Sequence, residues 1–373
     1  MTDLAIRGGR VIDPVNKIDE IRDVAVRGGA LVPLQGEARR EIDAAGCIVV
    51  PGLIDLHVHL WPLMRKGVRA EACCFPSGVT YAADGGSAGW MNWPQFRAPL
   101  ADMSIGVKSF VHVSAAGLNA LGSVPEDIDP THWDVEQMVN LVRENRRDVA
   151  GFKIRVGRET VGKLGMEPLR AAVAVARLTG TRLMVHPTGS EIPMREILDA
   201  LGTGDILTHA FHGHGETLLG EGGMEAARRA RARGVVLDIG DGCWHFSFQV
   251  YEAARRAGVW ADTLSTDITA NGLYQKPNFG FSLAYCMSRQ LALGMPLEEI
   301  LPMVTANAAK AMGVEGEAGA LTPGMPADIA VLKFVERELE FRDGVGEIVR
   351  GKGYLRPMLT VKAGSIAYRD IEI

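Results

Sequence analysis

The feature that most limits the fold of this sequence is a series of short apolar runs that alternate with helix-like stretches from about residue 51 onwards. Such alternation is typical of repeated β-α units around a parallel sheet. Eight runs are predicted to be strands: LIDLHVH (53–59), GVTYAAD (78–84), KSFVHVS (108–114), GFKIRV (151–156), RLMVHP (182–187), DILTHA (205–210), GVVLDIG (234–240) and ADTLSTD (261–267). Because eight parallel strands close a β/α barrel, we predict an α/β fold with a (β/α)8, TIM-like barrel over residues 51–319.

Three amphipathic segments are predicted to form helices of the outer ring of this barrel. They cover residues 167–180, 222–234 and 296–313, and each ends on a glycine. Glycine at that position suits a helix C-cap, since it adopts the left-handed conformation without strain.

The two ends of the chain differ in their residue pattern from the region between them. Residues 1–50 contain short β-rich runs separated by Gly-Gly pairs, and similar runs return after residue 320 in ALTPGMPADIAVL and LRPMLTVKAGSIAYRD. Runs of this kind, separated by turn residues, predict hairpins and small sheets. We therefore predict one small β-sandwich domain built from residues 1–50 and 320–373 together, with the barrel inserted between its halves.

Composition excludes several classes of protein. The 40 basic and 45 acidic residues are mixed along the chain, so no basic stripe is available for a nucleic acid. The amino terminus has no apolar leader, and no run approaches the roughly 18 apolar residues of a membrane helix. The five cysteines lack C-x-x-C spacing, which argues against thiolate zinc sites and a disulfide framework. We expect a cytoplasmic protein without nucleic-acid or membrane partners, and we leave a homo-oligomer open.

Residues that can bind metals or move protons lie at the carboxyl ends of the predicted strands. In a β/α barrel these ends and the loops after them form the catalytic face. Six such residues are therefore expected to point toward one mouth of the barrel: His57, His59, Lys153, His186, His209 and Asp267.

The pair His57 and His59 is the first indication of a metal. Residues two apart in a strand project from the same face, so both imidazoles are aimed at one point. Neutral imidazole is a preferred ligand of zinc and similar cations. His186 and His209 would add ligands from neighbouring strands. Asp267 would bind a metal through one oxygen and take a proton from metal-bound water with the other.

Lys153, within AGFKIRVG, lies in a run that is otherwise typical of a buried strand. An unpaired ammonium is costly to bury, so a salt bridge or an edge position is one explanation. A neutral lysine that adds carbon dioxide is another, since the resulting carbamate has two oxygens that can bridge two metal ions. Two metal ions roughly 3.5–4 Å apart would then share a hydroxide that is available near neutral pH.

At these residues the chain resembles the amidohydrolase superfamily, especially its dihydroorotase, hydantoinase and deacetylase branch. The matching segments are PGLIDLHVHL (51–60), GFKIR (151–155), VHP (185–187), THAFHG (208–213), STD (265–267), TANAAKAMG (305–313) and GALTPGMPADIAVL (319–332). The resemblance implies two divalent metal ions, with zinc preferred. It further implies that His57 and His59 bind one ion, that His186 and His209 bind the other, that Lys153 bridges as a carbamate, and that Asp267 is a metal ligand and the general base and acid.

The resemblance also narrows the reaction. The segment LHVHL is followed by WPLMRKG, not by the R-x-P-G continuation of a dihydroorotase. The chain looks closer to dihydroorotase-like or deacetylase members, some of which are similar to esterases of acetylated 2-hydroxy acids such as acetyl-mandelate. A deacetylase or esterase that uses a metal-bridging hydroxide on a small, carboxylate-bearing substrate, such as an acetylated 2-hydroxy acid or an N-acyl amino acid, is therefore implied. A cyclic amide hydrolase of the dihydroorotase or hydantoinase type is the alternative, and a non-catalytic barrel that acts as a binding or assembly subunit is a more distant one.

Residues in the predicted mouth loops are candidates for substrate contacts. A substrate carboxylate would pair with Arg155 or His245. For every candidate, packing at the rim or a surface ion pair is the alternative reading. The long segment 115–150 is predicted to contribute a rim or lid element. The candidate substrate contacts are Trp61, His112, Arg155, Trp244, His245, Asn271 and Tyr274.

Overall fold

A computed structural model of the protein describes residues 1–34, 36–120, 125–275 and 281–373. Strands and helices are numbered in chain order. The amino-terminal strands are β1 (Thr2–Arg7), β2 (Arg10–Asp13), β3 (Ile18–Ile21), β4 (Val24–Arg27), β5 (Ala30–Val32), β6 (Ala38–Asp43) and β7 (Ile48–Pro51). Only Gly52 separates β7 from the first strand of the barrel.

The barrel strands form one parallel sheet in which spatial order repeats chain order. They are β8 (Leu53–Val58), β9 (Val79–Asp84), β10 (Gly106–His112), β11 (Val149–Arg155), β12 (Arg182–His186), β13 (Ile206–Leu207) and β14 (Val236–Leu237). Every residue of β8 and β9 is buried, as expected for strands that are covered on both faces. Each of the first seven predicted runs therefore contains a strand, although β13 and β14 are only two residues long.

The eighth predicted run, residues 261–267, does not form a regular strand, which differs from the expectation. This part of the chain closes the barrel through two isolated parallel bridges, one from Thr263 to Asp238 and one from Ile268 to Val58. Asp267, the last of the four residues between these bridges, has a left-handed backbone with φ of 49°, which is incompatible with a continuous strand.

Two buried carboxylates hold this closing segment in position, where a regular strand would be held by backbone hydrogen bonds. Asp55 accepts hydrogen bonds from the backbone N–H of Thr266 (3.0 Å) and from its hydroxyl (2.7 Å). Asp238 accepts from the hydroxyls of Thr263 (2.9 Å) and Ser265 (2.7 Å). The segment is therefore fixed by side chains that satisfy one another in the interior.

The helices lie between and after the barrel strands. They are α1 (Ala70–Cys74), α2 (Trp93–Ala101), α3 (Val135–Glu144), α4 (Arg158–Val161), α5 (Glu167–Thr179), α6 (Met194–Ala200), α7 (Gly223–Ala232), α8 (Phe248–Arg256), α9 (Ala270–Gln275), α10 (Leu283–Ala292), α11 (Leu297–Met303) and α12 (Ala306–Met312). Helix α5 ends on Gly180 in the left-handed conformation, as predicted. The predicted segment 296–313 forms two helices, because Thr305 adopts a non-helical backbone (φ −136°, ψ −95°) between them.

The carboxyl-terminal strands are β15 (Ile329–Arg342), β16 (Ile348–Lys362) and β17 (Ser365–Arg369). One four-stranded sheet has the order β5-β4-β1-β6, and one six-stranded sheet has the order β17-β16-β15-β7-β2-β3. The second sheet thus joins both ends of the chain through antiparallel pairing of β15 with β7. Apolar side chains from both sheets share one cluster, which includes Leu4, Ile6, Val49, Ile329 and Val361. The domain boundaries at residues 50 and 320 stay a prediction.

The tip of the β15–β16 hairpin reaches the barrel mouth. The Gly344 N–H donates to the Phe246 carbonyl (2.7 Å), and the Phe248 N–H donates to the buried Asp343 carboxylate (2.9 Å). The hairpin tip therefore supports the loop that carries Trp244 and His245. Within the described part of the chain, no helix combines the length and apolar character needed to cross a bilayer.

The role of Asp55 in barrel closure leads to a stability prediction. We expect Asp55→Ala to lower the free energy of unfolding by about 2–4 kcal/mol, because it leaves the buried N–H and hydroxyl of Thr266 without a partner. Urea denaturation followed by circular dichroism measures this change. Asp199→Ala is the control, since that exposed carboxylate should contribute less than about 0.5 kcal/mol. Equal midpoints for the two variants would contradict the role of Asp55.

Candidate metal centre

Two groups of side chains in the described residues have the chemistry and spacing to hold a metal ion. The first group is His57, His59 and Asp267, and the second group is His186, His209 and His245. Within each group the potential ligand atoms lie within 4.8 Å of one another. Strand β8 and the residue after it supply both histidines of the first group. In the second group His186 is the last residue of β12, and His209 and His245 lie after β13 and β14.

The carboxylate of Asp267, a member of the first group, lies between the histidines of the two groups. Its Oδ1 is 3.1 Å from His59 Nε2 and 3.5 Å from His57 Nε2. Its Oδ2 is 3.4 Å from His245 Nε2 and 3.9 Å from His209 Nε2. One oxygen therefore faces each group, as a carboxylate that serves both would require.

Lys153 reaches the same centre from β11. Its Nζ is 3.2 Å from His57 Nε2 and donates to the Gly85 carbonyl at 3.0 Å. The side chain is almost fully buried, and no carboxylate among the described residues forms an ion pair with it. Burial lowers the pKa of Lys153 to about 8, so a larger fraction of its amine is neutral near physiological pH than in an ordinary lysine. Within the described residues, Lys153 therefore has no salt bridge that would compensate for its burial.

The hydrogen bonding of His209 leaves one ring nitrogen free to bind a metal ion. Its Nδ1 contacts the Gly240 carbonyl, and because a carbonyl only accepts, Nδ1 carries the proton. The other nitrogen, Nε2, is a bare lone pair that is buried without a hydrogen-bond partner among the described residues. A buried polar atom of this kind is rare, and a bound cation would satisfy it.

His57 is oriented by a chain of hydrogen bonds behind it. Thr208 donates its hydroxyl proton to Asp238 (2.8 Å), so its oxygen accepts from His57 Nδ1 (2.9 Å). The Nε2 lone pair of His57 is then directed at the centre. Carboxylate and hydroxyl groups that hold ligand imidazoles in this way are a regular feature of metal sites.

Burial keeps His57, His186, His209 and His245 neutral. It lowers the pKa values of His57, His186 and His209 well below the usual range and that of His245 to about 4. Neutral imidazole is the form that binds a cation. The donor set of the two groups and Lys153 therefore fits divalent metal ions.

The backbone around the centre is adapted to these side chains. His209 (φ 55°) and Asp267 (φ 49°) both adopt the left-handed region, which non-glycine residues rarely do and which concentrates at functional sites. After β9, a Cβ at Gly85 would overlap the His57 ring, and one at Gly86 would lie 2.8 Å from Lys153 Cγ. Glycine at these two positions leaves room for the imidazole and the lysine.

A cavity of about 350 Å³ opens beside Asp267. Of the predicted substrate contacts, Trp244, His245 and Asn271 line it. Trp61 and Tyr274 are 43% and 82% exposed and are not among its lining residues. The Arg69 guanidinium lies 4.0 Å over the Trp61 ring, so this tryptophan has a packing partner at the rim.

Arg155 and His112 share one partner that sequence reasoning did not single out, Glu126. Its carboxylate oxygens lie 3.0 Å from Arg155 Nη1 and 3.0 Å from His112 Nε2. Burial opposes ionisation, but these two contacts lower the pKa of Glu126 below its usual value. Glu126 belongs to the segment predicted to form a rim or lid, of which residues 121–124 lie outside the described residues.

Other hydroxyl partners of the centre were also missed. Ser87 contacts His59 Nδ1 at 3.0 Å, and Thr188 contacts His245 Nδ1 at 3.0 Å. Thr208 lies inside the THAFHG segment, but its bond to His57 joins residues 151 positions apart. Thr188 and Thr208 lie within two residues of the predicted ligands His186 and His209, which was the one signal available for them, whereas Ser87 is 28 residues from His59.

The chain is similar to known proteins both in sequence and in structure. The family model described as the amidohydrolase family matches residues 134–364. A deacetylase of Agrobacterium fabrum is 32% identical over 350 residues, which cover 91% of this chain and 85% of that protein. A crystal structure of a dihydroorotase superposes with a TM-score of 0.90 and 29% identity, covering 99% of this chain and 98% of that chain. A crystal structure of an adenine deaminase gives a TM-score of 0.90 and 28% identity, covering 99% and 100%. These similarities confirm the predicted fold class.

The hydrogen bond behind His57 leads to a prediction on metal affinity. We expect Thr208→Val to weaken divalent metal binding by about 10–100-fold, because it removes the partner that orients the ring. Competition with a chromophoric chelator measures the dissociation constant. Thr263→Val is the matched control, since Thr263 also donates to Asp238 but makes no bond to a histidine. An equal loss in both variants would show that Asp238, not the orientation of His57, controls affinity.

Proposed function

Because the chain belongs to the amidohydrolase family, as the resemblance in its sequence indicated, and is therefore a hydrolase, we propose that it uses two divalent metal ions to cleave an ester or amide bond. Zinc is the proposed metal, since the donor set is dominated by imidazole. One observation carries this proposal: imidazoles from β8, β12 and the segments after β13 and β14 converge on the two oxygens of Asp267.

The proposed assignment gives each ligand a place. His57 and His59 would hold one ion, and His186 and His209 would hold the other. Lys153, buried beside His57, would bridge the ions as a carbamate after its neutral amine adds carbon dioxide. The ions, when bound, supply an acidified water near neutral pH and polarise the carbonyl oxygen of the substrate.

Asp267 is proposed to move the proton in this reaction. Its side chain is 11% exposed, so it meets the cavity while the histidines hold it in a fixed position. As general base its carboxylate takes the proton of the attacking water, and as general acid it returns that proton to the leaving alcohol or amine. The Thr266 contacts to Asp55 fix the preceding residue and so keep Asp267 aimed at the centre.

The proposed substrate is a small acetylated carboxylate, either an acetylated 2-hydroxy acid or an N-acyl amino acid. A cavity of about 350 Å³ is suited to a molecule of this size. The Agrobacterium fabrum relative is named a deacetylase, which supports removal of an acetyl group. Trp244, His245 and Asn271 are proposed to surround this molecule, because they line the cavity beside Asp267.

Arg155 and His112 are engaged by Glu126 in this structure. Their proposed role is to hold the loop that carries Glu126 near Lys153, and contact between Arg155 and a substrate carboxylate would require Glu126 to move aside. Roles of Trp61 and Tyr274 in binding, a cytoplasmic location and a homo-oligomer stay predictions.

A cyclic amide hydrolase is the second candidate function. It is favoured by the dihydroorotase crystal structure, which aligns with nearly the whole chain at a TM-score of 0.90. The same metal centre would serve both reactions, so the residues that line the cavity decide between them.

We expect Asp267→Asn to lower kcat by at least about 100-fold while metal remains bound, because proton transfer by such a group contributes about 10²–10⁴-fold. The measurements are hydrolysis of an acetylated substrate and metal content by plasma mass spectrometry. Asp199→Asn, the same change at an exposed surface carboxylate, serves as control. Full activity of Asp267→Asn, or a purified active protein without metal, would refute the mechanism.

A substrate panel tests the proposed chemistry. It contains acetylated 2-hydroxy acids, N-acetyl amino acids and cyclic ureides, each acid paired with its neutral carboxamide. We expect acetylated acids to exceed their carboxamides in kcat/KM by about tenfold or more if Glu126 moves aside on binding, because the charge-assisted hydrogen bond that Arg155 would then make to the carboxylate contributes about 1.5–3 kcal/mol. Hydrolysis confined to the cyclic ureides would favour the second candidate function instead.

A further inference from the structure

The second group of the metal centre contains one imidazole more than the proposed assignment uses. His245 was predicted from the sequence as a substrate contact in the loop after β14. Its ring centroid lies 4.1 Å from that of His209 and 4.9 Å from that of His186, which places it inside the cluster of ligands. Its side chain is 18% exposed, so most of the ring faces the protein interior.

The ring of His245 presents a nitrogen to the centre. Nδ1 contacts the Thr188 hydroxyl at 3.0 Å, which leaves Nε2 as the nitrogen near Asp267 Oδ2, at 3.4 Å. A ligand imidazole held from behind by a hydroxyl is also seen at His57 in this protein. His245 therefore has the outer partner expected of a metal ligand.

The loop that carries His245 is held in place by packing. The buried Asp241 carboxylate pairs with the buried guanidinium of Arg289, and the Gly344 N–H bonds to the Phe246 carbonyl. Gly242 has a left-handed φ of 51°, and a Cβ there would lie 2.5 Å from the His245 ring. The position of His245 thus follows from several independent contacts on both sides of it.

Three imidazoles form a complete set of protein ligands for one ion. Catalytic zinc is commonly held by three protein side chains with a fourth position open to water or substrate. With only His186 and His209, the ion of the second group would depend on the Lys153 carbamate for its third ligand. A third imidazole removes that dependence.

We propose that His245 is a metal ligand which, with His186 and His209, holds one divalent ion without the Lys153 carbamate. This inference rests on the proposed function only in requiring that the centre binds a metal. It predicts that the second group fills independently of carbon dioxide, so that the two ions bind with unequal affinity and in a fixed order.

The test isolates the second group. A background protein that carries His59→Gln and Lys153→Ala lacks the bridge and one imidazole of the first group. It is stripped with a chelator and titrated with Co²⁺ in buffer free of carbon dioxide, alone and with His245→Gln or His214→Gln added. His214 is the matched control, because it lies in a neighbouring loop against Trp244 and outside both groups. The readouts are bound Co²⁺ per chain, its affinity, and its visible absorption spectrum.

We expect the background protein and its His214→Gln derivative to bind one Co²⁺ per chain with the same affinity and spectrum. Adding His245→Gln should weaken binding by more than about 100-fold, since loss of a direct ligand exceeds the roughly 10–100-fold effect of an outer partner. Unchanged affinity and spectrum in the His245→Gln protein would overturn the inference.

Two further measurements keep the outcomes distinct. Circular dichroism confirms that each variant is folded, and the His245→Gln comparison is repeated in protein that retains Lys153 and His59, where the tighter of two Co²⁺ sites should weaken selectively. If the unaltered protein binds two ions and His245→Gln changes neither, the inference fails and the proposed function stands. If the unaltered protein binds none, both fail.

Discussion

Two buried carboxylates, Asp55 and Asp238, tie the closure of the barrel to the chemistry at its mouth. They accept hydrogen bonds from Thr263, Ser265 and Thr266, which occupy the place of an eighth strand. Burial raises the pKa of Asp55 to about 7 and that of Asp238 to about 6, while the bonds they accept act in the opposite direction. Because Asp267 follows Thr266 directly, and because Asp238 reaches His57 through Thr208, the contacts that close the barrel also position the proposed general base and the imidazole of His57.

The distribution of charge at the mouth is suited to cations that arrive from solution. Burial removes the charge from the imidazoles of His57, His186, His209 and His245 and lowers the pKa of Lys153, so uncharged nitrogen atoms predominate around the carboxylate of Asp267. Such an arrangement is unfavourable in itself, since buried polar atoms such as His209 Nε2 lack partners. Bound cations would reverse that penalty. The strained backbone at His209 and Asp267 is consistent with an interior organised for binding at some loss of stability.

Much of this architecture was predictable because it follows from local pattern and from topology. Buried strands such as β8 and β11 appear as apolar runs, and parallel order brings their carboxyl ends together, so the sequence alone predicts that His57 and Lys153 share one mouth of the barrel. The orientation of His245 could not be predicted, since it depends on the Asp241–Arg289 pair and on the hairpin around Gly344. Glu126 was missed because its partners belong to other segments. Residues 261–267 were predicted to be a strand because they continue the series of short runs that alternate with helix-like stretches. That pattern does not show that the hydroxyl groups of this segment bind carboxylates.

The pairing of β7 with β15 has a consequence for the order in which the molecule can be assembled. During synthesis β2 and β7 leave the ribosome long before β15 has been made. The edge of β7 that pairs with β15 therefore stays unpaired while the entire barrel is synthesised. The hairpin tip that supports the loop of Trp244 and His245 also follows the whole barrel in the chain. The contacts that complete the mouth can therefore form only after all the barrel strands have been synthesised.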